Sequence, residues 1–509
     1  MGSFYKGYCS TISGKWLQLG VTLCSAMTFM LFGYDQGVLG GLIATPQLLD
    51  ALHIAASDAN TQGTVTAIYN IGCLVGCLIC ATAGQMLGRR TYIVIGGFIL
   101  ILGASIQAGA NGTPMMIAGR VIAGIGTGME TSFIPIWVSE CAQAAHRGAL
   151  VAVQLSIVLL GLSLAYWFDY GTTNNLTGSV VWRLPLAFQV VFIIGALCTI
   201  PLLPESPRWL YSNGHLDDAD DVMARILQVP VHDPAVLTRR AEVLEALRME
   251  KETEFRLKNI FFDDSPINTS WRIWIGVIIQ FLQQLGGINL VAYYASYIFI
   301  HNLGKTQYQA SLLSGGLSLV FWGGSLTSIY TVERFGRRPV LLVGATCTSI
   351  CMILYTIGLA IYTEKSLTMA VAFIFLFEFS FGASWCIVPW MYAPEVTPLH
   401  VRHIGTSLAV GMEWLMTFVI VKVGPIGITN SGWKFYLLFC VFNVIQVIFV
   451  WFCVKETKGL TLEEIDLVFA KPAHRAHLQA QLYNAEHIPN GDGKEVLEVG
   501  MDEKATQDP

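Results

Sequence analysis

A short string of residues occurs twice, half a chain apart, and this repeat limits what the chain can fold into. The first copy, at 84–90, reads Gly-Gln-Met-Leu-Gly-Arg-Arg, and the second, at 332–338, reads Val-Glu-Arg-Phe-Gly-Arg-Arg. Each copy joins two apolar stretches that are long enough to cross a bilayer. Glycine permits a tight turn, and the arginines place that turn at a charged face of the membrane.

Other charged residues repeat at the same offset, roughly 250 positions in a chain of 509 residues. Each half carries an acid seven positions before an arginine, and each ends in a short charged string with an acid at its second position. These residues are Glu140 with Arg147, Glu395 with Arg402, and the strings 204–208 and 455–459, which contain Glu205 and Glu456. Three markers at one offset indicate an internal duplication, which in a membrane chain is typical of a transporter built from two halves.

Composition supports a membrane protein. The chain is 54% hydrophobic and 13% charged, with a mean hydropathy of +0.56, whereas a soluble domain carries about 25% charged residues. The sequence predicts an all-α protein of twelve transmembrane helices in two six-helix halves. The predicted spans are 17–43, 62–84, 91–110, 115–137, 150–168, 183–203, 272–299, 310–332, 339–361, 368–391, 405–423 and 433–454.

The positions of lysine and arginine set the predicted orientation. Most of the 30 basic residues fall in cytoplasmic loops or tails if both termini are cytoplasmic. The first apolar segment is too long for a cleavable signal peptide, so we expect it to remain as the first helix. The net charge of −5 gives no reason to expect a nucleic-acid partner.

The spans divide the chain into four predicted regions. These are an N-terminal half at 1–203, a cytoplasmic helical linker at 204–271, a C-terminal half at 272–454 and a cytoplasmic tail at 455–509. We expect short helices at Asp217–Leu227, Arg239–Leu257 and Thr461–Asp466, and a disordered tail beyond about Lys471.

The cysteines do not predict a disulfide framework, because all 12 fall within helices or on the cytoplasmic side. Cys73, Cys77 and Cys80 share one face of the second span and could hold a metal. Packing by small side chains is the preferred interpretation, so we expect neither a metal nor a cofactor.

The chain resembles the sugar porter family of the major facilitator superfamily, nearest its fungal monosaccharide and polyol transporters. The resemblance runs from about 17 to 466 and rests on several motifs in order. They are Phe32-Gly-Tyr-Asp-Gln-Gly, Gly119-Arg120 with Gly124, Gly126 and Gly128, Pro204-Glu-Ser-Pro-Arg-Trp-Leu, Gln283-Gln-Leu-Gly-Gly-Ile-Asn and Lys455-Glu-Thr-Lys-Gly.

Uncharged amides inside the spans suit a neutral ligand rich in hydroxyl groups, because an amide both donates and accepts hydrogen bonds. The resemblance implies that Gln154, Gln283, Gln284 and Asn289 bind the sugar. Gln283 and Asn289 can share a face only if the helix unwinds near Gly286-Gly287. Hydrogen bonding between helices is the alternative role for these amides.

Aromatic rings can pack against the C–H face of a sugar. The resemblance implies this role for Trp385, Trp390 and Trp414, and an extracellular gate at Tyr293 and Tyr294. Enrichment at the membrane interface is the alternative explanation for such residues.

Charges within the spans are functional candidates because they are costly to insert. Asp35 and Arg120 lie at comparable depth with opposite sign, which makes them natural partners. In proton-coupled members of the family an acid and an arginine occupy these positions, so the resemblance implies coupling; a structural ion pair is the alternative.

The duplicated charges are expected to form a cytoplasmic salt-bridge network that holds the outward-open state, as in similar proteins. Solvated loop charges are the alternative. The network residues are Arg89, Arg90, Glu140, Arg147, Glu205, Glu333, Arg337, Arg338, Glu395 and Arg402.

Three residues depart from the family pattern. Phe321 replaces an amide that binds sugar in several relatives, and Glu413 stands where an amide is usual. Glu413 is expected to face the cavity, whereas Glu378 matches no family site. These departures leave the sugar open.

The resulting prediction is a plasma-membrane symporter that carries a hexose or pentose with protons by alternating access. Its partners are a small sugar, the proton and the lipid bilayer, and no oligomer is required. A facilitative uniporter, a polyol transporter and a sugar sensor are the alternatives. The lack of a nucleophile or cofactor motif argues against an enzyme.

Overall fold

The computed structural model describes residues 5–7, 12–83, 86–141, 147–252, 260–261, 265–398, 401–460, 462–472, 474–476 and 479. In these ranges the chain is built from α-helices and short 3₁₀ turns. The predicted tail beyond Lys471 falls mostly outside the described residues.

The first seven helices form the N-terminal half. Six are long and apolar, and the short α2 follows the first of them. They are α1 (Gly14–Leu42), α2 (Pro46–Leu52), α3 (Ala59–Ala83), α4 (Arg89–Ala108), α5 (Thr113–Cys141), α6 (Arg147–Asn175) and α7 (Val180–Thr199).

Three helices form the linker. We call the membrane face beside these helices the linker face, and the opposite membrane face the far face. They are α8 (Pro207–Ser212), α9 (Leu216–Leu227) and α10 (Pro234–Glu252). The predicted helix at Asp217–Leu227 is present. The predicted helix at Arg239–Leu257 begins earlier, at Pro234, and its last residues lie outside the described part of the chain.

The C-terminal half contains eight further helices, and one short helix follows it. They are α11 (Thr269–Leu285), α12 (Ile288–His301), α13 (Gln307–Phe335), α14 (Arg337–Ile361), α15 (Glu364–Gly382), α16 (Val388–Val396), α17 (Arg402–Ser431), α18 (Tyr436–Cys453) and α19 (Leu462–Phe469).

The described parts of both chain ends lie at the linker face. Tyr5 accepts a hydrogen bond from the Glu205 amide at 2.9 Å. Near the C-terminal end, Asp466 of α19 accepts a hydrogen bond from the guanidinium of Arg272, which begins the C-terminal half at the linker face, at 2.5 Å. The predicted placement of both ends on one side of the membrane therefore agrees with the geometry.

In the described part of the chain, eleven helical stretches are long and apolar enough to cross a membrane, and the last, Ile404–Cys453, covers most of α17 and all of α18. All twelve predicted spans are thus present as helices. One prediction was wrong in detail, because the span at 368–391 is not continuous: α15 ends at Gly382 and α16 begins at Val388. The intervening turn lets Trp385 be fully buried.

The halves meet along three pairs of helices. α3 packs against α17, α6 against α13, and α1 against α12. These three contacts enclose the amides and the acids that the sequence singled out.

Small residues bring α3 and α5 into close contact. A Cβ atom on Gly124 would collide with the backbone of Tyr69 and Gly72, and one on Gly128 would collide with Cys73. Glycine is therefore required where these helices cross, as is common between membrane helices. The close approach places Tyr69 beside Arg120.

The three cysteines on α3 pack against the same helix. The Cys77 thiol lies 3.5 Å from the Gly128 carbonyl, and the Cys80 thiol lies 3.8 Å from the Met129 carbonyl. Within the described residues no three metal-ligating side chains form a cluster. The contacts fit the packing interpretation.

Candidate functional site

The first Gly-Arg-Arg turn is held by Glu205 at the linker face. The backbone N–H groups of Arg89 and Arg90 donate to its carboxylate at 3.0 and 3.1 Å, and Ser206 N–H donates at 2.8 Å. Gly88 has φ 86°, a left-handed conformation that favours glycine. Arg89 also pairs with Glu140 at 3.3 Å.

The carboxyl of Glu205 is buried away from water. Burial raises its pKa above the ordinary value, while the Ser206 N–H and the nearby Arg90 charge oppose that rise. The ionised carboxylate of Glu205 is therefore stabilised by the N–H groups that donate to it.

The second turn repeats this arrangement around Glu456. Arg337 and Arg338 donate their backbone N–H groups to it at 2.9 and 3.0 Å, and Gly336 has φ 94°. Arg337 pairs with Glu395 at 2.8 Å. The sequence duplication is therefore a duplication of contacts.

Not all side chains of the predicted network form these ion pairs. The Arg338 guanidinium donates to the Trp451 carbonyl at 2.8 Å, and Glu333 is exposed and forms no salt bridge with a described residue. Glu395 pairs with Arg337 rather than with Arg402, whose Nε has no partner among described residues. The Arg147 side chain lies outside the described part of the chain.

The two ion pairs made by the Gly-Arg-Arg turns each lie within one half. Arg89 of α4 reaches Glu140 of α5, and Arg337 of α14 reaches the residue Glu395 of α16. In this structure they connect helices within each half and do not connect the two halves.

The break between α11 and α12 occurs where the sequence predicted unwinding. Gly287 has φ 94°, which ends α11. Two side-chain amides of α18 donate hydrogen bonds to backbone carbonyls beside the break. Asn443 donates to the Gly286 carbonyl at 2.9 Å, and Gln446 donates to the Leu282 carbonyl at 2.7 Å. Neither amide was singled out from the sequence, because nothing local marks it as a partner of a broken helix.

The break brings three amides together in the middle of the C-terminal half. Asn289 donates to the side chain of Gln284 and, at 2.8 Å, to Thr417. Gln283 donates to the Trp385 carbonyl at 2.6 Å, and its own side-chain oxygen has no partner among described residues. A hydroxylated ligand would find an acceptor here.

The aromatic candidates occupy three different environments. Trp385 is fully buried and its indole donates to the Leu341 carbonyl at 3.0 Å. Trp414 packs edge-on against Phe32 of α1, with ring centroids 5.4 Å apart. Trp390 is partly buried beside Leu155 of α6. Trp414 and Trp390 thus lie where the halves meet.

Gln154 and Glu413 complete the set of predicted ligands. Gln154 donates to Ser25 at 3.1 Å, leaving its buried side-chain oxygen without a described partner. One carboxylate oxygen of Glu413 is likewise buried and unpartnered. Glu413 interacts electrostatically with Cys77 of α3 and Tyr293 of α12, so it faces the interior between the halves.

Asp35 and Arg120 are both fully buried, each seven residues from the far-face end of its helix. They form no direct ion pair in this structure. Tyr69 lies between them: its hydroxyl donates to Asp35 at 3.3 Å, and the Arg120 guanidinium lies 4.3 Å from its ring centroid. Tyr69 was not predicted from the sequence, because its role depends on the α3–α5 crossing.

The two predicted gate tyrosines lie on the far-face side of the α11–α12 break. Tyr293 donates to Asn70 of α3 at 3.3 Å, and Tyr294 donates to the Val421 carbonyl at 2.9 Å. Tyr166 of α6 donates to the Ala292 carbonyl at 2.7 Å. The backbone at Tyr294 is non-helical, with φ −132°, so α12 is bent at its contact with the N-terminal half.

A lysine adds a further contact across the far face. Lys422 of α17 donates to the Asn60 side chain at 2.7 Å and also to Thr64 of α3. Together with the Tyr293–Asn70 and Tyr166–Ala292 bonds, this contact joins the halves on the far side of the amides.

Sequence reasoning missed Glu130, which is 1% exposed on α5 and has one carboxylate oxygen with no partner among the residues that the structure describes. It lies close enough to Asp35 for their charges to interact. Its acidic side chain inside a predicted span was the available signal.

A family model described as sugar (and other) transporter matches residues 21–469. The chain belongs to the sugar transporter family. It is therefore a multi-pass membrane protein, and the prediction that it is a transporter and not an enzyme is confirmed.

This sugar transporter is similar to several curated fungal proteins. It is 36% identical to the MFS-type transporter oryC of Aspergillus oryzae, over 89% of this chain and 86% of the relative. It is 33% identical to the sugar transporter STL1 of Saccharomyces cerevisiae, over 90% of this chain and 82% of the relative.

A solved structure confirms the fold class. The transporter matches XylE, a proton:xylose symporter of the major facilitator superfamily bound to 6-bromo-6-deoxy-D-glucose, with a TM-score of 0.76 and 25% identity. The match covers 89% of this chain and 99% of XylE.

Proposed function

We propose that this sugar transporter carries a hexose or pentose by proton symport through alternating access. The observation that carries the proposal is the cluster of uncharged amides around the α11–α12 break, with an unpaired acceptor on Gln283. Relatives named for sugar and glucose transport, and the proton:xylose symporter XylE, support it.

Asp35 is the proposed proton-coupling site. It is buried at membrane depth, and one of its oxygens has no partner among described residues. Protonation would remove the cost of a buried charge, whereas deprotonation would draw Arg120 toward the carboxylate around Tyr69.

The proposed cycle begins with sugar and a proton entering from the far face. Sugar binds among Gln154, Gln283, Gln284, Asn289 and Trp385, and the halves then rock about the site. The present arrangement, with the tyrosines closing the far face, belongs to the inward half of this cycle. Asp35 releases its proton inward after the sugar leaves.

The proposed location is the plasma membrane, with the linker face in the cytoplasm. Both described chain ends lie at that face, which supports two cytoplasmic termini. The halves at 1–203 and 272–454, the linker at 204–271 and the tail at 455–509 remain our proposed division.

Uptake of labelled sugars and polyols into proteoliposomes tests the proposal. Accumulation of a monosaccharide above its external concentration, only under an inward proton gradient, is the expected result. Equilibration that does not respond to the proton gradient would indicate a uniporter. Uptake of polyols alone would show that polyols, and not monosaccharides, are the substrates. No uptake of any compound would refute the proposal.

The Gln283→Ala variant is expected to bind sugar about 5- to 150-fold more weakly, because leaving a ligand hydroxyl unpaired costs about 1–3 kcal/mol. The substitution also removes the hydrogen bond to the Trp385 carbonyl, so thermal unfolding of the variant is measured beside its affinity. Titration of purified protein measures the change, with Gln47→Ala on the exposed surface as the control. Wild-type affinity in a folded variant would remove Gln283 from the site.

The Glu413→Gln variant is expected to change the rank order of sugars. The carboxyl faces the interior between the halves and accepts hydroxyl donors, whereas an amide also donates. While ionised it would also repel acidic sugars such as uronates. Competition of a sugar panel against one labelled sugar, at several pH values, measures this. An unchanged order and an unchanged pH profile would leave Glu413 a structural role.

A further inference from the structure

Glu378 is a buried acid that the proposed transport cycle does not use. It lies on α15 within the span Glu364–Gly382 and is 1% exposed. Neither carboxylate oxygen has a hydrogen-bond partner among described residues. An ionised carboxylate in such a place is costly unless it is paired, so the side chain is a neutral acid in this arrangement.

A small cavity lies against this carboxyl group. It measures about 10 Å³ and is lined by Glu378, by Ser314, Ser318 and Phe321 of α13, and by Tyr166 of α6. That volume is about what the centre of one water molecule needs. The Ser314 and Ser318 hydroxyls already donate to backbone carbonyls at 2.8 Å. Ser314 also accepts from Ser296 at 3.0 Å, so the lone pairs of Ser318 are the freer ones to accept from an acid or a water.

The cavity lies on the boundary between the halves. Its α6 wall belongs to the N-terminal half, while α12, α13 and α15 belong to the C-terminal half. The Tyr166 hydroxyl closes it by donating to the Ala292 carbonyl at 2.7 Å. Movement of α6 away from α12 and α13 would therefore open the cavity to water.

The ionisable groups around Glu378 carry no compensating positive charge. Tyr166 of α6 and Cys386, in the turn after α15, are close enough to feel its charge. α12 and α13 present apolar and serine side chains to the cavity. Among described residues, no charged group of α14, which also packs on α15, acts on Glu378.

We propose that Glu378 is a proton-binding site at the boundary between the halves, separate from Asp35. Its proton is retained while α6 seals the cavity, and it passes to entering water when the halves separate there. Coupling of this exchange to sugar movement rests on the proposed function; the exchange itself does not.

Infrared spectroscopy of the purified, lipid-reconstituted protein tests the site without any sugar. A carbonyl band of a protonated carboxyl that disappears reversibly as pD is raised is expected in the difference spectrum between wild type and Glu378→Gln, which cancels the bands of other buried acids such as Asp35. Glu378→Asp should restore a titrating band, and Glu364→Gln, which changes an exposed acid on the same helix, should leave it intact. A Glu378 band that persists at every pD, or none at any pD, would overturn the proposal.

Proton flux in proteoliposomes tests coupling. Glutamine mimics the neutral acid but cannot exchange a proton, so Glu378→Gln is expected to move one proton fewer per sugar than wild type. An equal ratio in both proteins would overturn the coupling. If neither protein transports sugar, the proposed function fails, whereas the infrared result still decides whether Glu378 exchanges a proton.

Discussion

Replacing Asp35 with Asn is expected to abolish accumulation of sugar against a gradient while leaving exchange of sugar across the membrane. The amide keeps the shape of the protonated acid but cannot release a proton. Asp35 is fully buried and contacts Tyr69, which in turn contacts Arg120. One proton moved through 100 mV is worth about 2.3 kcal/mol, roughly a 50-fold sugar gradient, and all of that would be lost.

Uptake under an imposed pH gradient, compared with counterflow at equal pH, separates the two activities of the Asp35→Asn variant. Asp50→Asn, an exposed acid on α2, is the matched control and should behave as wild type. Continued proton-driven accumulation by Asp35→Asn would show that coupling resides elsewhere.

Replacing Glu205 with Ala is expected to destabilise the N-terminal half by about 3–5 kcal/mol, the usual cost of removing one partner from a buried charged contact. The substitution would leave the N–H groups of Arg89, Arg90 and Ser206 without their acceptor. Thermal or denaturant unfolding of the purified protein measures the loss.

Two variants calibrate the effect at Glu205. Glu456→Ala removes the equivalent acceptor from the second half, and a smaller loss is expected because Glu456 is more exposed than Glu205. Glu333→Ala changes an exposed acid of the 332–338 string, beside the second turn, and should have little effect on stability. If Glu205→Ala unfolds no more easily than Glu333→Ala, the carboxylate does not hold the turn.

The helical spans and their duplication were predictable because they depend on local properties. An apolar stretch of sufficient length has few alternatives to a membrane helix, and the break at Gly286-Gly287 follows from two adjacent glycines. The depth of Asp35 and Arg120 also followed, since position along a helix fixes depth.

Contacts between helices were not predictable in the same way. The insertion of Tyr69 between Asp35 and Arg120 depends on how closely α3 and α5 approach, and that distance is a property of the packed pair. The turn at Trp385 was missed for a similar reason. The segment around it is apolar enough to be predicted as one continuous helix. The break depends on contacts with other helices, in which the Trp385 indole donates to the Leu341 carbonyl and the Trp385 carbonyl accepts from Gln283.

Each Gly-Arg-Arg turn pairs its first arginine with an acid of the same half, and this separates two physical tasks. These charged contacts fix the shape of each half, whereas most of the contacts described between halves are neutral hydrogen bonds and apolar packing, such as Tyr166 to the Ala292 carbonyl and Trp414 against Phe32. The halves can then reorient without breaking the Arg89–Glu140 and Arg337–Glu395 pairs. These two pairs add little salt dependence to the barrier between the access states, whereas the apolar surfaces that separate and meet again make that barrier depend on temperature.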